Sequence, residues 1–122
     1  MKHLAIVVLI ALSAATLISG CSGAYNGALA DAARVGDVKD AETYLDKGAG
    51  INNLWFGRTP LQVAAEEGKL EMVKFLIEKG ANVNKLSKFD KTALDYALEK
   101  KHAVVAGYIQ GRGGRKGSEL KK

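Results

Sequence analysis

Disulfide bonds are excluded as a framework for this fold, because Cys21 is the only cysteine among 122 residues. Proline occurs once and histidine twice. Metal centres of the common kinds need clustered cysteine, histidine or carboxylate ligands, and the sequence holds no such cluster. We therefore expect neither a metal site nor a cofactor.

Catalytic signatures are also scarce. Three hydroxyl residues, Thr59, Ser87 and Thr92, could in principle act as nucleophiles. None of them stands at a spacing from a histidine that suggests a nucleophile and its base. Of the two histidines, His3 lies in the N-terminal segment, and His102 is expected to be a surface residue. Glu66 and Glu67 are adjacent, so on a helix their side chains point about 100° apart and form no catalytic pair. The sequence predicts a protein that is not an enzyme.

Long hydrophobic runs are missing too. The longest apolar stretch covers residues 4–18 and is interrupted by a serine and a threonine, whereas a transmembrane helix needs roughly 17–25 apolar residues. A positive start at Lys2, a short apolar segment and small residues before Cys21 are typical of a secretory signal peptide. We expect residues 1–20 to be this peptide, with cleavage between Gly20 and Cys21.

The end of this segment, Ile18-Ser19-Gly20-Cys21, resembles the lipobox of bacterial lipoproteins, although leucine is commoner than isoleucine at its first position. The resemblance implies that Cys21 is acylated and anchors the chain in a lipid bilayer, with residues 21–26 as the acylated cysteine and a short tether. Ser22 stands where the inner-membrane retention signal has aspartate. The periplasmic face of the outer membrane is therefore favoured, and that of the inner membrane is the alternative.

The excess of positive charge belongs to the C-terminus. The formal net charge is +5, yet the stretch from Tyr25 to Gly111 carries equal numbers of basic and acidic residues. Residues 112–122 hold five basic residues, one acidic residue and few apolar ones, so we expect a disordered basic tail. Such a tail either only keeps the terminus soluble or is attracted to anionic lipid. We expect no nucleic acid partner.

The segment 57–68, GRTPLQVAAEEG, recurs along the chain. A shift of 32 residues places Leu29 and Ala32 on Leu61 and Ala64, and a shift of 33 places Thr59 and Ala64 on Thr92 and Ala97. A period near 33 with a T-P-L-x-x-A core resembles the ankyrin repeat. The resemblance implies an all-α solenoid of about three helix-turn-helix repeats over residues 27–111, at about 27–56, 57–89 and 90–111. It also implies a protein-binding scaffold, which we expect to be monomeric.

Caps predict the helices of the repeats. Thr59 and Pro60 begin a helix that runs to about residue 67, and a second helix over 70–79 ends at Gly80. The corresponding helices are expected over 28–35 and 38–47 in the first repeat, and over 93–100 and 103–110 in the third, with Gly111 as the last stop. Gln62 stands where the family commonly has histidine, and its amide can make similar hydrogen bonds.

The loops between repeats, called fingers in this family, are unusually apolar here. Exposed apolar clusters of this kind mark interaction sites, and tryptophan and arginine are enriched in binding hot spots. We expect a partner to contact Leu54, Trp55, Phe56, Arg58, Lys88, Phe89 and Tyr96. Weaker candidates on the inner helices are Arg34, Val63, Glu66, Glu67 and Asp95. The alternative is that one or two of the aromatic rings fold back over the first finger.

Two classes of function follow. In the first, a membrane-anchored periplasmic module binds a protein partner through its fingers and concave face, as an inhibitor or immunity protein or as an accessory to an envelope enzyme. In the second, the chain is a structural or spacer lipoprotein of the envelope, and its basic tail contacts anionic lipid or cell-wall polymer.

Overall fold

Seven helices make up the regular structure of residues 22–120, which are the residues that the computed structural model describes. They are α1 (Ser22–Val35), α2 (Val38–Asp46), α3 (Pro60–Glu66), α4 (Leu70–Glu78), α5 (Ala93–Glu99), α6 (Ala103–Gly111) and α7 (Gly117–Leu120). The predicted signal peptide and the lipid attachment at Cys21 lie outside the described residues.

The first six helices form three helix-turn-helix pairs in two layers. Inner helices α1, α3 and α5 pack side by side, and α2, α4 and α6 form the outer layer. Equivalent leucines of the inner helices, Leu29, Leu61 and Leu94, are buried in one continuous core. Ala64 and Ala97 are completely buried on the inner helices, as expected for small residues at the contact between repeats. The all-helical fold expected from the sequence is therefore confirmed over this part of the chain.

Side-chain caps begin the second and third inner helices. The Thr59 side chain accepts a hydrogen bond from the Gln62 amide, and the Gln62 side chain accepts one from the Thr59 amide. Thr92 and Asp95 form the same reciprocal pair in front of α5. Each box satisfies two backbone donors that a helix N-terminus leaves unpaired. The predicted starts at Pro60 and Ala93 are confirmed.

The predicted tether differs from the structure. From Ser22 onward it is not a loose linker but the beginning of α1. The Asn26 side chain accepts a hydrogen bond from the Gly50 amide at 2.7 Å, and the Tyr25 ring stacks on Tyr44 with centroids 6.3 Å apart. These contacts hold the extra turns against the first repeat, and the sequence pattern of the repeats gives no sign of them.

The predicted disordered tail is also corrected over residues 112–120. Helix α6 runs through Gly111, and the chain then turns at Gly113 and lies against the third repeat. The Gly117 amide donates to the Asp95 carboxylate at 2.8 Å, and α7 begins at this buried glycine. Backbone hydrogen bonds hold this segment, so its low apolar content does not prevent it from ordering.

Candidate functional site

The first finger ends in a tight hairpin turn. The Trp55 amide donates to the Arg58 carbonyl at 2.8 Å, and the Arg58 amide donates back at 3.2 Å. Both central residues, Phe56 (φ 51°) and Gly57 (φ 83°), are in the left-handed region, as in a type I′ turn. That conformation costs a residue with a side chain about 1–2 kcal/mol. Phe56 bears this strain although 83% of its surface is exposed.

Trp55 behaves differently from its neighbour. Its indole lies against Gly27 of α1, so closely that a Cβ atom at Gly27 would stand 2.7 Å from the ring. The Phe56 ring meets the indole edge to face at 5.2 Å. Trp55 keeps 38% of its surface exposed. The alternative in which an aromatic ring folds back onto the protein therefore holds in part for Trp55, which packs on α1. Phe56 instead projects outward.

The second finger lies beside the first. The Lys88 amide donates to the Gly57 carbonyl, and the Ser87 hydroxyl accepts from the amides of Phe89 and Lys91. Lys88 is exposed and the Phe89 ring is 60% exposed. The finger residues predicted from sequence as contacts, apart from the half-buried Arg58, thus present side chains to the surface: Leu54, Trp55, Phe56, Lys88 and Phe89.

A cleft of about 140 Å³ lies between the first finger and the inner helices. It is lined by Ala30, Asp31, Arg34, Trp55, Phe56, Arg58 and Val63. Arg34 and Val63 were among the weaker candidates, and Ala30 and Asp31 were missed. The sequence could have indicated Ala30 and Asp31, because they lie one helical turn before Arg34 on α1 and so share its face. Small-molecule sites measure about 300–1,000 Å³, so this cleft has room for a single side chain.

Three ion pairs lie on or beside the inner helices. Arg34 pairs with Asp31 at 3.1 Å, Arg58 with Glu66, and Lys91 with Glu99 at 2.6 Å. The hydrogen bond to the Glu99 carboxylate raises the pKa of Lys91 above its ordinary value. Exposed pairs stabilise a fold by only about 0–1 kcal/mol. Their main consequence is that Arg34, Arg58 and Lys91 each already have a carboxylate partner within the fold.

Tyr96 is not on the contact surface that the sequence predicts. Its side chain is only 5% exposed, and its hydroxyl donates to the Ser87 hydroxyl at 3.0 Å. The cationic groups of Arg58 and Lys91 lie 6.0 Å and 5.8 Å from the centre of its ring. Tyr96 therefore has a structural role: it packs beneath the two cations and its hydroxyl holds Ser87 in the turn of the second finger.

Polar side chains that resemble catalytic groups have structural partners. The ring of His102 lies 3.0 Å from the Glu66 carbonyl oxygen, at the C-terminal end of α3. Across residues 22–120, no three His, Cys, Asp or Glu side chains are grouped so that they could hold a metal ion. None of the helices in that same range is long and apolar enough to cross a membrane.

Comparison with known proteins places residues 29–114 in a family described as ankyrin repeats, in three copies. The fowlpox virus protein FPV244, whose name assigns it ankyrin repeats, is 40% identical over 63 residues, which are 51% of this chain and 9% of that protein. The ankyrin repeat and KH domain-containing protein mask-1 of Caenorhabditis elegans is 37% identical over 83 residues, 67% of this chain and 3% of its own length.

A third relative is a rice protein, XBOS33, whose name describes an E3 ubiquitin-protein ligase. It is 38% identical over 89 residues, which are 70% of this chain and 17% of that protein. The chain thus spans less than a fifth of the length of each of these three relatives.

Proposed function

The chain belongs to the ankyrin-repeat family, and we propose that it is a membrane-anchored periplasmic module that binds one protein partner through its two fingers and inner helices. Ankyrin repeats are protein–protein interaction modules. Repeat stacks of this kind offer an extended concave surface for a partner. The proposed contacts are the exposed finger side chains Leu54, Trp55, Phe56, Lys88 and Phe89, together with the half-buried Arg58.

The conformation of Phe56 carries the proposal. A bulky residue with positive φ is a rare outlier, and strained backbone of this kind concentrates at ligand-binding sites. Asparagine and glycine fit the same turn without that cost. Within the fold, the Phe56 ring has the edge-to-face contact with Trp55, and 83% of the surface of Phe56 is left exposed. Contact with a partner accounts for the ring.

The neighbouring cleft supports a protein as the partner rather than a small molecule. Its volume of about 140 Å³ suits one inserted side chain. Its lining combines the apolar side chains of Trp55, Phe56 and Val63 with the cationic side chains of Arg34 and Arg58. Buried aromatic and arginine anchors dominate the energetics of protein interfaces.

Anchoring and location belong to the same proposal and rest on the resemblance of residues 18–21 to a lipobox. In this arrangement, acyl chains on Cys21 hold the module at the periplasmic face of the outer membrane. The partner is then an envelope protein, which the module assists, or an incoming toxin, which it inhibits. Incorporation of a labelled fatty acid into the chain, and its loss in Cys21→Ser, would test the anchor alone.

The test of partner binding uses Phe56→Asn in the full chain. Asparagine tolerates the left-handed conformation, so the fold should remain intact. Val104→Asn is the matched control, because Val104 is an exposed apolar residue of α6 outside the fingers. We expect crosslinking in native cell envelopes to join one protein to the parent and to Val104→Asn, and to lose it in Phe56→Asn. Circular dichroism checks the helix content of all three.

A different result would point to the second function. If Phe56→Asn captures the same protein as the parent, or the parent captures none, binding by the fingers is wrong. The repeats would then act as a spacer, and residues 112–122 become the candidate contact with anionic lipid or cell-wall polymer. Loss of envelope binding on neutralising those basic residues would support that alternative.

A further inference from the structure

The chain after α6 repeats the geometry that begins each earlier finger. Gly80 after α4 and Gly113 after α6 are 33 residues apart and have φ values of 99° and 87°. The next amides close the two helices alike: Ala81 donates to the Leu76 carbonyl at 3.0 Å, and Gly114 donates to the Ile109 carbonyl at 2.9 Å. The repeat period therefore continues past the last predicted helix.

The side chains that hold these segments also follow the period. Asn52 accepts a hydrogen bond from the Asn82 amide, and Asn84 accepts one from the Arg115 amide, both at 2.8 Å. Asn84 also donates to the Gly113 carbonyl at 3.1 Å. Each asparagine at the base of one finger thus binds the backbone of the segment that follows.

A second set of contacts comes from the helix caps. In α3 the Gln62 side chain donates to the Lys85 carbonyl in the second finger at 2.8 Å. In α5 the equivalent residue, Asp95, accepts from the Gly117 amide at 2.8 Å. Thr92 adds a hydrogen bond from its hydroxyl to the Arg115 carbonyl at 2.6 Å. The same cap position therefore fixes the next segment in both repeats.

From these equivalences we infer that residues 113–120 are a third finger, docked through their backbone, that covers the outer edge of the third repeat. Two glycines make the docking possible. A Cβ atom at Gly114 would collide with Ile109, and one at Gly117 would collide with the Asp90 carbonyl oxygen. These glycines, which in the sequence suggest a flexible tail, instead allow the backbone of this segment to approach the third repeat closely.

The side chains of this third finger remain on the surface. Arg115, Lys116 and Glu119 are exposed, since the docking contacts of this finger use its backbone atoms. The exposed Arg112 at the end of α6 adds a third positive charge beside them. The exposed side chains of the first finger are thus mainly aromatic, those of the second include both an aromatic ring and a lysine, and those of the third are mainly basic. If the proposed function holds, on which this step rests, the partner carries an apolar patch followed by an acidic one.

Gly117→Ala in the full chain tests the third finger, with Gly111→Ala as the matched control because a Cβ there meets nothing within 4 Å. Arg115→Gln combined with Lys116→Gln removes charge and keeps the backbone contacts. We expect Gly117→Ala to lower Tm by about 5 °C and to speed exchange of the Gly114 and Arg115 amides measured by NMR. The charge variant should keep the parent values. The control should keep the parent exchange rates and should not lower Tm, because alanine is more favourable than glycine in a helix.

The inference is overturned if those amides exchange in the parent as fast as in an unstructured peptide. It is also overturned if Gly117→Ala leaves Tm and exchange unchanged, or if the charge variant alone abolishes protection. None of these readouts involves a partner. Failure of the third finger is therefore distinguishable from failure of the proposed binding function, which the Phe56→Asn crosslinking measures.

Discussion

The Lys88 amide donates a 2.8 Å hydrogen bond to the carbonyl oxygen of Gly57, which joins the turn of one finger to the next. The Lys88 side chain also packs closely against Gly57, since a Cβ atom added at Gly57 would lie 2.8 Å from the Cβ of Lys88. The exposed rings of Phe56 and Phe89 lie one residue from this bond on either side. The two fingers therefore present their aromatic side chains from a shared support.

Gly57→Ala should separate the fingers. The left-handed φ costs alanine about 1–2 kcal/mol, and the contact with Lys88 adds to that cost. Gly80→Ala is the control, because Gly80 also has positive φ but has nothing within 4 Å of its added Cβ. Urea unfolding should give a larger loss of unfolding free energy for Gly57→Ala. Equal losses would mean that the contact between the fingers contributes nothing.

Gln62→Ala should destabilise the second repeat. The buried amide accepts from the Thr59 amide at 2.9 Å and donates to the Lys85 carbonyl at 2.8 Å. Leaving such groups unpaired costs about 1–3 kcal/mol, measurable by urea unfolding. Gln62→His should retain much of the stability, since an imidazole also has one donor and one acceptor. Exposed Glu67→Ala should change it by less than about 0.5 kcal/mol, and a comparable loss there would contradict the assignment.

Local patterns predicted the parts of the fold that depend on local physics. Thr59 and Thr92 cap helices because a threonine hydroxyl can pair with a backbone amide three residues on. The period near 33 and the small residues at Ala64 and Ala97 predicted the stack. The structure bears out each of these, because the same interactions act whatever surrounds them.

The features that the sequence did not predict depend on contacts between residues distant in the chain or on opposite sides of a loop. Tyr96 looked like a surface anchor by residue type, but its hydroxyl pairs with Ser87 nine residues earlier. The C-terminal glycines looked flexible by composition, yet Asn84 and Asp95 bind the backbone around them. Composition reports what a segment contains and not what lies opposite it. The exposure of Phe56 followed from the sequence only as one of two alternatives.

Gly107→Ala should stabilise the third repeat. Gly107 lies within α6, and an added Cβ there meets nothing within 4 Å. Alanine is more favourable than glycine in a helix interior by about 1 kcal/mol, so urea unfolding should show a gain near that size. No gain would indicate that α6 loses little backbone entropy on folding. A loss of unfolding free energy would contradict the open space found around Gly107.

Ala97→Leu should push the second and third repeats apart. Ala97 and its equivalent Ala64 are completely buried on neighbouring inner helices. Added methylenes in a packed core cost about 1–3 kcal/mol, so thermal unfolding should begin at lower temperature. Ala103→Leu is the control, because Ala103 is exposed at the start of α6 and has room for the larger side chain. If both variants unfold like the parent, the inner helices tolerate a wider spacing, and the alanine period does not set the distance between repeats.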